Sequence, residues 1–584
     1  MSTQPSSSRV ARRAERLLPG LYQIRHYERS WLRGDVVAGV TVAAYLVPQV
    51  MAYAEVAGLP AITGLWAAVA PLAIYAILGS SRQLSVGPES TTALMTAAAV
   101  GAMVAGDSAR YAEAAAALAI AVGGLCILGW LGRLGFLASL LSHPVLVGYM
   151  AGIAILMIVS QLGKITGIDS AGGSAVAELR VVATHLDQIH LPTLVLGAAV
   201  LVLLLVVQRR LAWFPGPLVA MLLAAGVVAV FALDRNGVAV IGDIPRGLPR
   251  PTLPDFGGLE LATLVPAALG VAIVGYSDNV LTARAFAAKR DQVVDPGQEF
   301  LALGAANIGA GLFHGFPVSS SGSRTVIGDA MGSRTQLYSL VAMVAVLLTM
   351  LVLSPLLAAF PRAALGAVVI YAATRLIDIT ELRRIGRFRR SELFLSLATA
   401  GAVLAFGVLY GVAVAIALSL LDLLRRIARP HDGILGFVPG LAGMHDVDDY
   451  ATGRQVPGLV VYRYDSPLFF ANAEDFKRRA LAAVDSAEDR VEWFLLNMEA
   501  NVEVDLTAVD ALDELRRTLA DRGIEFAVAR VKQELRDSLT PGGFVERVGP
   551  QRIFLTLPTA VDAYLDWYLG RHGTAPPGLD RPLS

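Results

Sequence analysis

The amino-acid sequence predicts a polytopic α-helical membrane protein that ends in a small α/β domain. Three features of the chain point there. Of its 584 residues 55% are hydrophobic and only 16% charged, far from the balance of a soluble globular enzyme. Between Asp35 and Arg425, apolar stretches near the length of a bilayer span recur about fourteen times. After Leu424 the composition changes, and from Pro457 short apolar strands alternate with amphipathic helices.

The plan that follows is a cytoplasmic N-terminal segment at 1–34, a transmembrane region at 35–426, a linker at 427–456, an α/β domain at 457–570 and a tail at 571–584. Arg9, Arg12 and Arg13 follow a polar start with no early apolar core, so the N-terminus reads as a cytoplasmic tail, not a signal peptide. A formal net charge of zero gives no footprint for a nucleic-acid partner. The lone Cys126 excludes an internal disulfide, and no cluster of metal-ligating residues stands out.

The first seven spans are expected near 36–56, 61–79, 84–104, 112–131, 143–163, 191–208 and 215–233. The next seven are expected near 260–284, 298–315, 317–332, 336–354, 361–377, 392–407 and 409–424. Basic residues concentrate after even-numbered spans, at Arg82, Arg133, Arg209, Lys289, Arg334 and the cluster from Arg383 to Arg390. Lys164, Arg235, Arg246 and Arg250 blur the contrast, but the bias still places both ends in the cytoplasm of an inner (plasma) membrane protein. In the α/β domain, strands are expected at 458–464, 468–471, 493–497 and 524–530, and helices at 473–484, 507–522, 533–539 and 559–568.

Two spans are interrupted, and they hold matching places in the two sets of seven. The third contains Leu84-Ser-Val-Gly-Pro-Glu-Ser-Thr-Thr92, and the tenth contains Gly315-Phe-Pro-Val-Ser-Ser-Ser-Gly-Ser-Arg-Thr325. Gly/Pro-marked breaks in corresponding spans point to the binding site of an inverted-repeat transporter, with the helix starts facing each other at mid-membrane. Either break alone also reads as a kink or a membrane-edge loop. A helix beginning at Phe316-Pro317 would present free N–H groups, a positive dipole end and serine hydroxyls, and an intramembrane Arg324 beside them completes an anion site. Arg324 could instead be a structural cation paired with Asp278 or Glu89. Asp278 and Thr282, four apart on one helix face, offer a carboxylate and a hydroxyl for a proton or a sodium ion. Glu89 reads either as a second proton carrier or as a helix cap.

With these residues in view, the chain resembles the sulfate permease family of anion transporters, whose cytosolic STAS domain is shared with anti-sigma-factor antagonists. The likeness runs from Asp35 to about Tyr568, through Asp35-Val-Val-Ala-Gly-Val-Thr-Val-Ala-Ala-Tyr-Leu-Val-Pro-Gln-Val-Met-Ala-Tyr-Ala54, Gly79-Ser-Ser-Arg-Gln-Leu-Ser-Val-Gly-Pro88 and Val294-Asp-Pro-Gly-Gln-Glu299. It continues through Ser323-Arg324, Gly332-Ser-Arg-Thr-Gln336 and Tyr462-Arg-Tyr-Asp-Ser-Pro-Leu-Phe-Phe-Ala-Asn472. The resemblance implies a fourteen-span core-and-gate fold with a seven-plus-seven inverted repeat. It further implies a homodimer and an elevator-like shift that carries sulfate, bicarbonate, chloride or a dicarboxylate. By position, Gln49 and Tyr53 match first-span residues of the family's anion pocket. Gly87, Glu89 and Ser90 match the third-span half-helix start, and Ser323 and Arg324 match the tenth, where Ser321 is a further candidate for the anion. Asp278 and Thr282 resemble the cation site of sodium-coupled bicarbonate members, although Asn279 replaces the family's serine. Many proton-coupled relatives carry Glu at the position of Asp278, and alanine is commoner than Ser333. In the STAS domain, Asp505-Leu-Thr-Ala508 puts Leu506 where the antagonists carry their phosphorylated hydroxyl, which argues against a phosphoswitch there unless Thr507 substitutes.

The expected function is coupled transport of a small anion, with an uncoupled anion channel or exchanger, or a membrane-tethered sensor signalling through the STAS domain, as alternatives. The expected partners are the anion, the lipid bilayer, a second copy of the chain and a cytosolic protein at the STAS domain, with no cofactor other than sodium. Nothing pairs a nucleophile with a base, so no enzymatic chemistry is expected. Gly304, Gly309, Gly311 and Gly315 lack the strand and lysine of a phosphate loop and read as close-packing positions. Tyr22, His26, Tyr27, Trp31 and Arg33 read as an interfacial patch.

Overall fold

The computed structural model describes residues 18–104, 108–136, 142–168, 175–210, 214–242, 244–245, 247–257, 259–288, 290 and 292–576. Arg9, Arg12, Arg13, Arg246, Lys289 and the end of the tail lie outside the described residues. The chain divides into two compact units, Met1–Ser419 and Leu420–Ser584.

The first unit is helical, and a helix stands in each segment that hydropathy marks as a span. Among the described residues, seven helices are long and apolar enough to cross a bilayer, including Leu261–Ala288 and Arg390–Ala428, with shorter apolar helices between them. The last two expected spans are two helices that meet at a kink within Arg390–Ala428, at Gly407, whose φ of 81° is open to glycine at no steric cost. Small residues set the closest crossings. A Cβ on Gly309 would stand 2.5 Å from Ile74, and one on Gly311 2.7 Å from the Ala116 carbonyl oxygen, so glycine at these positions lets Pro296–Leu312 lie close against Ala61–Leu78 and Ser108–Leu131. These are the positions that superficially resembled a nucleotide loop.

The interrupted spans depart from the expected boundaries. Helix begins at Ser90 in the third and at Gly322 in the tenth, not at Pro317. The residues before each helix are extended and form a two-stranded ladder, β1 (Val86–Gly87) with β2 (Ser319–Ser320).

The second unit is a six-stranded sheet in the order β4-β3-β5-β6-β7-β8. β5 (Leu459–Tyr464), β6 (Trp493–Asn497), β7 (Glu525–Ala529) and β8 (Ile553–Phe554) run parallel, while β3 (Asp432–Phe437) pairs antiparallel with β5 and with β4 (Met444–Asp446). Alternate residues of the strands feed two cores. Val460, Phe494 and Val528 face the helices Ala473–Asp485 and Leu506–Asp521, and Val461, Leu495 and Ala527 face the helix Leu557–His572. Two expectations fail here. Residues 427–456, read as a linker, contain β3 and β4. Leu468–Ala471 is not a strand, because only Leu468 reaches a partner, in a single bridge to Val504. Asp505 caps the helix Leu506–Asp521 by accepting from the Ala508 N–H, and Leu506 beside it is 73% exposed.

Candidate functional site

The two interruptions meet. Val86 lies opposite Ser320 and Gly87 opposite Ser319 in the antiparallel ladder. Extended backbone at membrane depth is tolerated only when protein groups satisfy it. Here the Ser321 N–H donates to Ser85 O at 2.8 Å, and the Ser85 N–H to Thr325 Oγ1 at 3.0 Å. Asn307 supplies what the ladder lacks. Its Oδ1 accepts from the Val318 N–H at 2.9 Å, and its Nδ2 donates to Val318 O at 3.0 Å, so one buried amide stands in for a missing strand. These commitments are why Pro317 to Ser321 cannot join the helix.

Arg324 lies fully buried in the first turn of Gly322–Ala330. Its Nη1 donates to Pro88 O at 2.9 Å and its Nε to Ser85 Oγ at 3.3 Å, which ties the guanidinium across the ladder to the opposite half-span. Its Nη2 has no partner among the described residues. That nitrogen stands 3.3 Å from the place a Cβ on Gly87 would take, so glycine there keeps the approach open. No ion pair joins Arg324 to Asp278 or Glu89 among the described residues: Asp278 Oδ2 accepts from Ser320 Oγ at 2.8 Å, and Glu89, within electrostatic reach of the guanidinium, turns its oxygens to its own helix. A guanidinium with an unused buried donor is a strong cation awaiting an acceptor.

The two helix starts differ. Glu89 Oε2 accepts from the Thr91 N–H at 2.8 Å, and the Ser90 hydroxyl donates to the same carboxyl group at 2.7 Å, so the third-span helix is capped by its own side chain. This is the capping geometry. Ser321 caps Gly322–Ala330 only by position, with no side-chain bond to its N–H groups, and its hydroxyl lies 3.3 Å from that of Ser323. Ser321 and Ser90 are buried, whereas Ser323 is exposed.

Gln49 and Tyr53, one turn apart on Leu32–Val56, are both buried, and their helix packs against Ser90–Val104 and Gly322–Ala330. The Gln49 Oε1 has no partner among the described residues. The Tyr53 hydroxyl lies within electrostatic reach of both Glu89 and Arg324, and Asp278 within reach of Glu89. Thr282 is half-buried and shares no hydrogen bond with Asp278. Asp278, Ser320 and Thr282 are hard oxygen donors of the kind a sodium ion takes. Among the described residues no group of three His, Cys, Asp or Glu side chains could hold a metal.

Two buried acids escaped sequence reasoning. Glu299 accepts from the Tyr75 hydroxyl at 2.9 Å, from the Ser80 N–H at 2.9 Å and hydroxyl at 2.7 Å, and from Asn279 Nδ2. The Asn279 that departs from the family pattern is thus a ligand of Glu299. Asp35 accepts from the Arg334 N–H at 2.6 Å, the Thr335 hydroxyl at 2.7 Å and the Tyr27 hydroxyl at 3.0 Å, which pins the first-span start to the Gly332–Gln336 motif.

Fold and site together define a multi-pass helical membrane protein in which two half-spans meet over a buried guanidinium. The sulfate permease family matches residues 32–399, and the STAS domain family matches residues 450–560. The chain belongs to the sulfate permease family. It is 61% identical, over 94% of its length and 98% of the relative's, to a probable sulfate transporter of Mycobacterium tuberculosis (strain CDC 1551 / Oshkosh). It is 32% identical to the chloroplastic sulfate transporter 4.1 of Arabidopsis thaliana, over 94% of this chain and 83% of that one. Among solved structures, the murine solute carrier 26 family member A9 anion transporter in its inward-facing state superposes with a TM-score of 0.88 at 24% identity, covering 96% of each chain. The transmembrane domain of a cyanobacterium bicarbonate transporter gives 0.60 at 23% identity over 68% of this chain and 98% of its own. At such identities these two likenesses speak to the fold.

Proposed function

We propose that this protein is a secondary active transporter of a small anion, sulfate first and bicarbonate or a dicarboxylate next, coupled to protons or sodium through elevator-type alternating access. The observation that carries this reading is the buried Arg324 Nη2, an unfilled donor at the crossing of two broken spans. The names of the relatives, sulfate transporters at up to 61% identity, support the same substrate class. An oxyanion entering the crossing would accept from Nη2, from the unbonded N–H groups at the start of Gly322–Ala330 and from the Ser321 hydroxyl. Gln49 and Tyr53 would close the pocket from the first span. Without such compensation, moving a doubly charged anion into low dielectric is prohibitive.

Asp278 reaches the crossing through Ser320, so its charge state biases the ladder on which Arg324 depends. A proton, or a sodium ion held with Ser320 and Thr282, would remove a negative charge from the anion's path and make anion entry depend on the cation. Glu89 is the second candidate for that proton. The protein would work as a homodimer in the plasma membrane, both ends cytoplasmic, with its STAS domain open to a cytosolic partner.

Proteoliposomes holding the full chain test this. Labelled sulfate uptake should follow an imposed proton or sodium gradient and be competed by unlabelled anions according to size. Arg324→Ala should abolish uptake without loss of folded protein, and unchanged uptake would remove the binding role. Conductance without a gradient dependence, unaltered by Asp278→Asn, would replace coupled transport with a channel.

A further inference from the structure

The transport reading leaves unused the loop between the apolar helices Arg362–Thr374 and Arg390–Ala428, which holds one helix of its own, Ile379–Phe388. Lying between the end of one span and the start of the next, it sits at a membrane face. Its Ile385 is buried, while Arg383, Arg387 and Phe388 are exposed. With Arg390, Leu393 and Phe394 of the following helix it walls an open groove of about 620 Å³. Gly386 forms the floor: a Cβ there would stand 3.0 Å from Leu393 Cδ2.

The arginines of this loop are unequal. Arg384 pairs with Glu381 at 3.2 Å and does not line the groove. Arg383, Arg387 and Arg390 line it and have no ion pair among the described residues. Phe394, which lines the same groove, is 74% exposed. Unneutralised guanidiniums beside an apolar wall at a bilayer face match an anionic amphiphile, with phosphate at the rim and hydrocarbon along the wall. The same groove suits neither a soluble anion, which leaves Leu393 and Phe394 wet, nor a zwitterionic lipid, which brings a cation to the arginines. We propose that this groove is a binding site for an anionic phospholipid, its phosphate on Arg383, Arg387 and Arg390 and its acyl chains along Leu393 and Phe394. The site is independent of the anion-transport reading.

Native mass spectrometry of the full chain in detergent, titrated with phosphatidylglycerol, phosphatidylcholine or glycerol phosphate, tests it. Phosphatidylglycerol should be retained in preference to phosphatidylcholine and resist glycerol phosphate. Each groove arginine changed to Gln should weaken retention about fivefold, the equivalent of ~1 kcal/mol per cation near anionic lipid. Arg384→Gln should leave retention unchanged. Gly386→Phe, which fills the groove and keeps every charge, should lower it. Equal retention of the two lipids, displacement by glycerol phosphate, or a loss with Arg384→Gln as large as with Arg387→Gln would overturn the site. So would a dimer that dissolves on Arg387→Gln while lipid retention stays constant.

Discussion

Two fully buried ionic groups in the membrane unit, Glu299 and Arg324, are treated in opposite ways by their surroundings. Glu299 is saturated: a tyrosine, a backbone N–H, a serine hydroxyl and an asparagine amide all donate to its two oxygens. Arg324 is tied by Nη1 and Nε, yet keeps Nη2 without a partner. A buried charge whose hydrogen-bonding capacity is filled fastens helices together. One that is held in place with a donor left over is prepared for something that comes and goes.

The contrast is broken or upheld by paired substitutions. Glu299→Ala would strand Tyr75, Ser80 and Asn279 with buried, unsatisfied donors, at a cost of roughly 3–5 kcal/mol. Little monodisperse protein should survive, and uptake should fall only in proportion to the folded fraction. Arg324→Ala, which gives up two bonds and a donor that had none, should lower the melt far less than Glu299→Ala and leave no uptake. A thermal melt paired with proteoliposome uptake on the same samples separates the two outcomes, and similar profiles for both variants would erase the distinction.

How far the sequence announced each of these groups depends on how local its partners are. The crossing was legible because its signals lie within two short stretches: Gly87-Pro88 and Phe316-Pro317 break apolar runs that otherwise span, and Arg324 is costly at that depth. Glu299 was not, because its donors Tyr75 and Ser80 lie 224 and 219 residues away and come together only when Pro296–Leu312 packs on the first half. Asn307 was hidden for a related reason. Its amide completes a strand that hydropathy reads as the start of a helix. In the second unit, β3 and β4 were missed because Gly433, Gly436 and Asp446 make them look like loop, and their pairing with β5 is long-range.

A milder change sharpens the same contrast from the ligand's side. Gly87→Ala puts a methyl group 3.3 Å from Arg324 Nη2, tighter than an ordinary contact, while leaving the backbone of β1 free to pair. The guanidinium must shift by a few tenths of an ångström, and the anion loses part of its best donor. An increase in KM of about fivefold, the equivalent of ~1 kcal/mol, with little change in maximal rate, is the expected outcome in uptake assays. An unchanged KM would mean that the open side of Nη2 does not face the substrate.

The smallest effect belongs to a carboxylate that resembles Glu299 in being crowded with donors and differs in its access to water. Asp513, in the STAS unit, accepts from Arg516 Nε at 2.9 Å, Arg547 Nε at 3.0 Å and Arg517 Nη2 at 3.1 Å. Burial is the largest single influence on its carboxyl and pushes the pKa up, but the bonds and charges of Arg516 and Arg547 outweigh it, and the pKa ends below the usual aspartate value. A carboxylate with a folded pKa below its unfolded value of about 3.9 stabilises the domain above that pH, and the contribution is lost as pH falls through the folded value. Because its arginine partners are partly solvated, the contribution at neutral pH is ~1 kcal/mol. Asp513→Asn should therefore raise hydrogen exchange in Leu506–Asp521 of the full chain by about fivefold at neutral pH and bring it level with the parent under acid conditions, below both pKa values. A difference that persists unchanged into acid would assign the role of Asp513 to packing, and would make water access, not charge, the feature that separates it from Glu299.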